Sequence, residues 1–279
     1  MIILGTLLII CLLLLIGVSV PLAFGGVLMF LALMGGHEVS GYLPTGHWKM
    51  NSLVLLSIPL FIIAGSIMEK GRIAAPLISL AELFVGHLKG GLSAAAVVAS
   101  GIFGSISGSA NATLTCIGGI MMPHLRKANY PEGLSAALIV SASPLGLLIP
   151  PSSSHILYAW AAQQSVLKAF LSTVIPGIIL IVLLCVVNYI CLLRQKDLAL
   201  KLGQKVDNFS LAFRSRSVKA FPAFMMPAII LGGIYGGIMT PVEAAGVAVA
   251  YAIPVAIYVY KGLTWRSFLE TMRGAGVTV

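Results

Sequence analysis

From Ile2 to Met34 the chain carries no charged residue. As one continuous helix that run would be about 50 Å long, well beyond the ~30 Å of a bilayer's hydrocarbon core. Gly17, Ser19 and Pro21 offer a break, so the spacing predicts two helices, over about 1–17 and 20–35. The rest of the chain keeps to the same pattern. Of its 279 residues 59% are hydrophobic and 9% charged, with a mean hydropathy of +1.05, whereas a soluble domain carries about a quarter charged residues. That is too little polar surface for a body in water. The thirty glycines and fourteen prolines rule out a simple bundle of straight helices. In a membrane such breaks persist only where protein or a water-filled cavity satisfies the freed backbone groups, which points toward a transporter.

The net charge of +9 is no nucleic-acid signal, because the basic residues sit in short loops beside apolar spans, where they report orientation. Cys11, Cys116, Cys185 and Cys191 are scattered through apolar segments without metal-ligand spacing and read as packing residues. The N-terminal run has no basic region before it and no cleavage signal, so it is expected to stay as a membrane helix.

A polar loop is expected over 35–49, then a crossing over about 51–68 closed by Glu69, Lys70 and Arg72. Residues 73–88 carry Glu82 and His87 among apolar positions, which suits a helix at the membrane surface or packed on a neighbour. The segment 90–125 is apolar but interrupted by GSISGSAN at 104–111, with Lys89 before it and Arg126 and Lys127 after it. Basic residues at both ends favour a re-entrant hairpin, with Ser107, Gly108 and Ser109 at its tip, over a broken spanning helix. Residues 131–163 form a second interrupted segment, broken by SPLGLLIPPSSS at 143–154, and a crossing follows over about 170–193.

The loop 194–219 sets seven basic residues (Arg194, Lys196, Lys201, Lys205, Arg214, Arg216, Lys219) against Asp197 and Asp207, and is expected to be cytoplasmic. Two more crossings, over 221–237 and 240–260, return to Lys261, Arg266 and Arg273 on the same side. Thr240–Pro241–Val242–Glu243 reads as a helix start, with a Thr cap, Pro first and Glu third.

The two ends of the chain resemble each other. GVSVPLAFGGV (17–27) aligns with GIMTPVEAAGV (237–247) at an offset of 220, sharing Gly17/Gly237, Pro21/Pro241, Gly26/Gly246 and Val27/Val247. On the crossing count the first copy starts outside and the second inside, as in inverted-repeat transporters, which bind substrate and ions near the midplane. Four segments follow: 1–89, scaffold helices and an interfacial helix; 90–165, a transport domain of hairpin and broken helix; 166–219, the last helix of the first repeat and a cytoplasmic linker; 220–279, the start of a second repeat. With a second repeat of equal length the full protein needs roughly 440 residues, so the chain is expected to be a fragment.

The two interrupted segments carry the chemistry. In GSISGSANAT (104–113) the chain can unwind, turning helix-end carbonyls toward a cation, while the following N–H groups and Ser109, Asn111 and Thr113 face an anion. In SPLGLLIPPSSS, Pro144, Gly146, Pro150 and Pro151 prevent a continuous helix; carbonyls near Gly146, Ile149 and Pro150 suit a sodium shell, and Pro151 and Ser152–Ser154 are placed on the substrate side. Small residues and serines also pack membrane helices without binding anything, but two such breaks in adjacent elements favour a site. His155 reads as a hydrogen-bonded packing residue rather than a proton carrier, and Glu243 as a cap rather than a ligand. A Ser107–His155 dyad would make the chain an intramembrane serine hydrolase. However, no Asp lies in an apolar segment and neither GxSxG nor HExxH occurs. An enzyme is not expected.

SIPLFIIAG (57–65), GGLSAAAVVASGIFGSISGSANAT (90–113), GLLIPPSSSHILYAW (146–160) and GGIYGGIMTPVEAAGVAVAYA (232–252) resemble the large membrane subunit of tripartite ATP-independent periplasmic (TRAP) transporters, in the family's order. The resemblance implies an all-α, inverted-repeat, elevator-type protein of the bacterial inner membrane that imports an organic acid with sodium as coupling ion and no other cofactor. Its implied partners are a small four-helix membrane subunit and a periplasmic substrate-binding protein, with no nucleic acid. It assigns sodium to Ser105, Ser107, Gly146, Ile149 and Pro150, and the substrate cavity to Ser109, Asn111 and Thr113. Thr113 stands where members similar to sialic-acid transporters have Asp, which favours a simpler substrate such as a C4-dicarboxylate. The family's second hairpin and second sodium site would lie beyond Val279, so the chain alone is not expected to transport. The alternatives are a binding-protein-independent sodium- or proton-coupled anion symporter of related fold, and an accessory membrane subunit.

Overall fold

The computed structural model describes residues 2–35, 39–85, 90–193 and 209–278, and every regular element among them is helical. The chain divides into two compact units, Met1–Ser52 and Leu53–Val279.

In the first unit α1 (Ile2–Leu15) packs on α2 (Val20–Gly35). The break between them is a helix stop at Gly17, whose φ of 86° needs a residue without Cβ. The Gly17 N–H donates to the Leu14 carbonyl and the Val18 N–H to the Leu13 carbonyl, both at 3.1 Å, the paired bonds of a Schellman motif. The expected loop over 35–49 is partly helical: a 3₁₀ turn at Val39–Gly41 leads into α3 (Tyr42–Met50). Pro44 does not prevent this, because first-turn N–H groups have no helical acceptor to lose.

The second unit begins with α4 (Leu53–Lys70) and α5 (Ala74–Val85). Next come the hairpin arms α6 (Gly91–Ser107) and α7 (Ala110–Lys127). The second interrupted segment is α8 (Glu132–Ala142), the single turn α9 (Leu145–Leu148) and α10 (Ser153–Ala161). Then follow α11 (Val166–Leu193), α12 (Phe209–Tyr235), α13 (Pro241–Pro254) with a π turn over Val255–Val259, and α14 (Trp265–Thr278). Four of these are long and apolar enough to cross a bilayer (α4, α11, Phe213–Tyr235 of α12, and α13 with its π turn), and the bent α8–α10 pair makes five if it is one span. The outer face of α11 exposes Ile175, Ile178, Val182, Val186 and Ile190. Lipid is a solvent that tolerates such a stripe.

Phe61, Met68, Leu77, Phe103, Met121 and Ala245 share one core, drawn from α4, α5, α6, α7 and α13. α5 is packed on its neighbours α6 and α12 through Leu77, Ile78, Ala81 and Leu83, while Glu82 stays half-buried and His87 lies outside the described residues. α7 packs back on α6, as a hairpin requires. A smaller cluster of Val97, Leu138, Leu145 and Leu184 joins α6 to α8, α9 and α11. At the base of the hairpin the buried Asn188 accepts from Ser93 Oγ at 2.7 Å and donates to the Gly90 carbonyl at 3.1 Å.

The turn before α13 repeats the one before α2. Gly237 has φ 67°, its N–H donates to the Ile234 carbonyl at 3.2 Å, and the Ile238 N–H donates to the Gly233 carbonyl at 3.0 Å. The two sequence copies therefore encode one local structure. Thr240 and Glu243 form the expected capping box, so Glu243 is a cap.

One expectation about the C-terminal third needs correction. Residues 209–219 are helix rather than loop, with Arg216 Nη1 donating to the Ser79 carbonyl at 2.7 Å; Arg194, Lys196, Lys201, Lys205, Asp197 and Asp207 lie outside the described residues. Basic side chains fix which side of the membrane a segment occupies, and Lys and Arg are themselves good helix formers. The residues after Lys261 form α14, which packs on α4 and stacks Trp265 on Phe268 at 5.4 Å.

Candidate substrate and ion site

The hairpin breaks over two residues. Gly108 adopts a left-handed conformation (φ 60°), its N–H donating to the Gly104 carbonyl at 2.9 Å, and this ends α6. Ser109 is extended and caps α7, its Oγ accepting from the Ala112 N–H at 3.4 Å. Thr113 Oγ1 donates to the Ser109 carbonyl at 2.8 Å and lies 3.3 Å from Ser107 Oγ. The tip is thus knotted by its own hydroxyls.

The second break spans Ile149–Ser152 and bends the segment by 48°. Its chemistry follows from two residues. Pro150 and Pro151 have no N–H, so the carbonyls of Gly146 and Leu147 lose the donors that a continuous helix would supply. Both prolines are buried, as is Ser152, whose Oγ has no hydrogen-bond partner among the described residues.

Glycines let the two breaks meet. A Cβ on Gly104 would lie 2.7 Å from Gly146 Cα and 2.9 Å from the Leu145 carbonyl oxygen. One on Gly146 would overlap Thr113 Oγ1 and lie 2.6 Å from the Ser109 carbonyl oxygen. A Cβ on Gly108 would lie 2.8 Å from the Pro151 carbonyl oxygen, and one on Gly65 of α4 2.7 Å from that of Ser107. Any side chain at these four positions would force the breaks apart.

A cavity of about 440 Å³ opens beside this junction. Phe61, Ile62, Gly65, Ser66 and Glu69 of α4 line one wall, and the tip residues Ser107, Gly108 and Ser109 with Asn111, Ala112 and Thr115 line another. Leu147 and Ser153 complete it, so the N-terminal ends of both α7 and α10 open onto it. Its lining holds no basic side chain and one carboxylate, Glu69. An anion there would be held by helix N-terminal N–H groups and hydroxyls.

The structure gathers Ser107, Ser109, Thr113 and Gly146 at one point, with Ser107, Ser109 and Asn111 facing the cavity. Ser105 is turned to its own helix, donating to the Ile102 carbonyl at 2.7 Å. Ile149 packs its side chain beside Gly101 and Gly177, leaving only its backbone for a cation. Thr113, Pro151 and Ser152 are buried and do not line the cavity, whereas Ser153, one of the three serines expected on the substrate side, does. His155 is a packing residue without the expected hydrogen bond, since its buried Nδ1 has no partner among the described residues. Nor does Ser107 pair with it: the hydroxyl's partners are Ser109 and Thr113. Sequence reasoning missed Ser66, Glu69 and Thr115. The signal was the helical face 61, 62, 65, 66, 69, where Gly65 permits close approach and polar residues follow.

The family described as "Tripartite ATP-independent periplasmic transporter, DctM component" matches residues 6–279. The chain belongs to this family. It is 40% identical over 209 residues to the C4-dicarboxylate TRAP transporter large permease protein DctM of Pseudomonas aeruginosa, covering 75% of this chain and 48% of the relative. It is 35% identical over 224 residues to the ectoine/5-hydroxyectoine TRAP transporter large permease protein UehC of Ruegeria pomeroyi, covering 80% and 51%. It is 33% identical over 267 residues to the isethionate TRAP transporter permease protein DctMQ of Oleidesulfovibrio alaskensis, covering 94% and 41%. The chain spans about half the length of the curated relatives it matches. These relatives are named as transporter permease proteins, not as enzymes.

Proposed function

We propose that this chain works in the large permease subunit of a TRAP transporter in the bacterial inner membrane, and that its two meeting breaks bind sodium and an organic acid. The observation that carries the reading is the interlock of Gly104, Gly146, Ser109 and Thr113, which brings proline-freed carbonyls beside an unwound hairpin tip. Carbonyl and hydroxyl oxygens at a helix break suit a hard monovalent cation, and the adjoining N-terminal ends of α7 and α10 suit a carboxylate. C4-dicarboxylates, ectoine and isethionate are the candidate substrates, since the relatives' names carry them. A small membrane subunit and a periplasmic binding protein complete the system; the joined name DctMQ of one relative supports the former.

The test is uptake into proteoliposomes holding the full reading frame with its small subunit, with binding protein outside. Uptake should require both an inward sodium gradient and the binding protein, and Gly146→Ala should lower it at least tenfold. Undiminished uptake after the gradient is collapsed would refute sodium coupling.

A further inference from the structure

Glu69 is the one charged side chain in the cavity lining, and its carboxylate is poorly satisfied. An ionised carboxylate offers about four acceptor positions. Here one oxygen, Oε1, receives the Thr115 hydroxyl at 3.3 Å, and that single proton is shared with the carbonyls of Asn111 at 2.9 Å and Ala112 at 3.2 Å. The neighbouring Lys70 is exposed and forms no ion pair with Glu69 among the described residues. The carboxylate therefore faces the cavity with most of its accepting capacity unspent.

The same cavity presents the opposite polarity about one helical turn away. Asn111 and Ala112 line it in the first turn of α7, and Thr115 follows Asn111 by four residues, about 6 Å along the axis. A dianion placed with one carboxylate at the α7 N-terminus would bring its other carboxylate toward Glu69, and like charges at that range repel. A molecule with an anionic and a cationic end meets a complement at both.

We propose that Glu69 is a specificity-determining residue that accepts hydrogen bonds from a cationic N–H group, and that the cavity takes a compact zwitterion, a carboxylate joined to an amidinium or ammonium, in preference to a dicarboxylate. This rests on the transport reading and narrows its substrate class. Ser66, on the same face of α4, supplies a hydroxyl beside the cationic end.

The complete transporter, with its small subunit and binding protein, is reconstituted and supplied separately with radiolabelled ectoine as the zwitterion and succinate as the dianion. The wild type should accumulate ectoine over succinate by about tenfold or more, the size expected of one charge-assisted hydrogen bond. Glu69→Gln should lose that preference by raising the KM for ectoine about tenfold, with sodium dependence unchanged. Glu69→Asp should recover part of it, which a purely structural role would not produce. Preferential succinate uptake by the wild type, or an equal loss for both substrates in Glu69→Gln, overturns the proposal while leaving the transport reading intact. Absence of sodium-driven uptake of ectoine, succinate and isethionate alike overturns the transport reading itself.

Discussion

Replacing Gly104 with alanine tests whether the two breaks touch as closely as the structure has them. The added methyl would meet three backbone atoms: Gly146 Cα at 2.7 Å, the Leu145 carbonyl oxygen at 2.9 Å and Gly146 N at 3.0 Å. No side chain can rotate away, so the clash belongs at the upper end of overpacking costs, about 3 kcal/mol. Alanine inside α6 returns about 1 kcal/mol of helix propensity, leaving a net loss of roughly 2 kcal/mol. A domain of this size loses about 2–4 °C per kcal/mol, so thermal unfolding in detergent should begin about 4–8 °C lower. Gly119→Ala is the control, because a Cβ on that exposed α7 residue meets nothing within 4 Å. It should match or slightly exceed the wild type. If Gly104→Ala proves as stable as Gly119→Ala, the backbones are not in contact and the case for a joint ion and substrate site falls with them.

Three further outcomes follow from single contacts. Asn188→Ala removes the buried amide that ties Ser93 and the Gly90 carbonyl to α11; a loss of about 1–3 kcal/mol is expected from the unpaired groups, read as a lower melting temperature. Thr240→Ala deletes the cap of α13 and should cost about 1 kcal/mol, with faster amide exchange confined to its first turn. Arg126→Ala breaks an ion pair to Glu132 in which both side chains are more than 60% exposed, so the melting temperature should move by less than the equivalent of about 1 kcal/mol.

Most of the helix order was legible because bilayer length and apolar runs leave few alternatives. Both breaks were legible as well, since Gly108 permits a left-handed helix stop and the Pro150–Pro151 pair removes N–H groups that an uninterrupted helix requires. What escaped was of two kinds. α14 carries Trp265, Phe268, Leu269 and Met272 at helical spacing, but its charges drew attention to orientation instead of conformation. Glu69 looked like the charged end of a crossing, and only the approach of Gly65 to the Ser107 carbonyl turns that face toward the hairpin tip. A single helix's sequence cannot announce which neighbour its small residue will meet.

The same asymmetry separates the carbonyls freed at the second break from the cavity beside it. Carbonyl availability at Gly146 and Leu147 is dictated locally, by a proline four positions after each along the chain, so a sequence suffices to find it. The cavity is instead assembled from α4, the hairpin tip and the α9–α10 region, and its polarity depends on where those elements cross. Thr113 illustrates the difference. Its type and spacing suit a ligand-facing hydroxyl, yet the close packing of Gly146 turns it inward to hold the Ser109 carbonyl. Under the proposed function, substrate class is therefore set by the α4 wall, where Glu69 stands, more than by the hairpin's own hydroxyls, which are largely occupied in holding the tip closed.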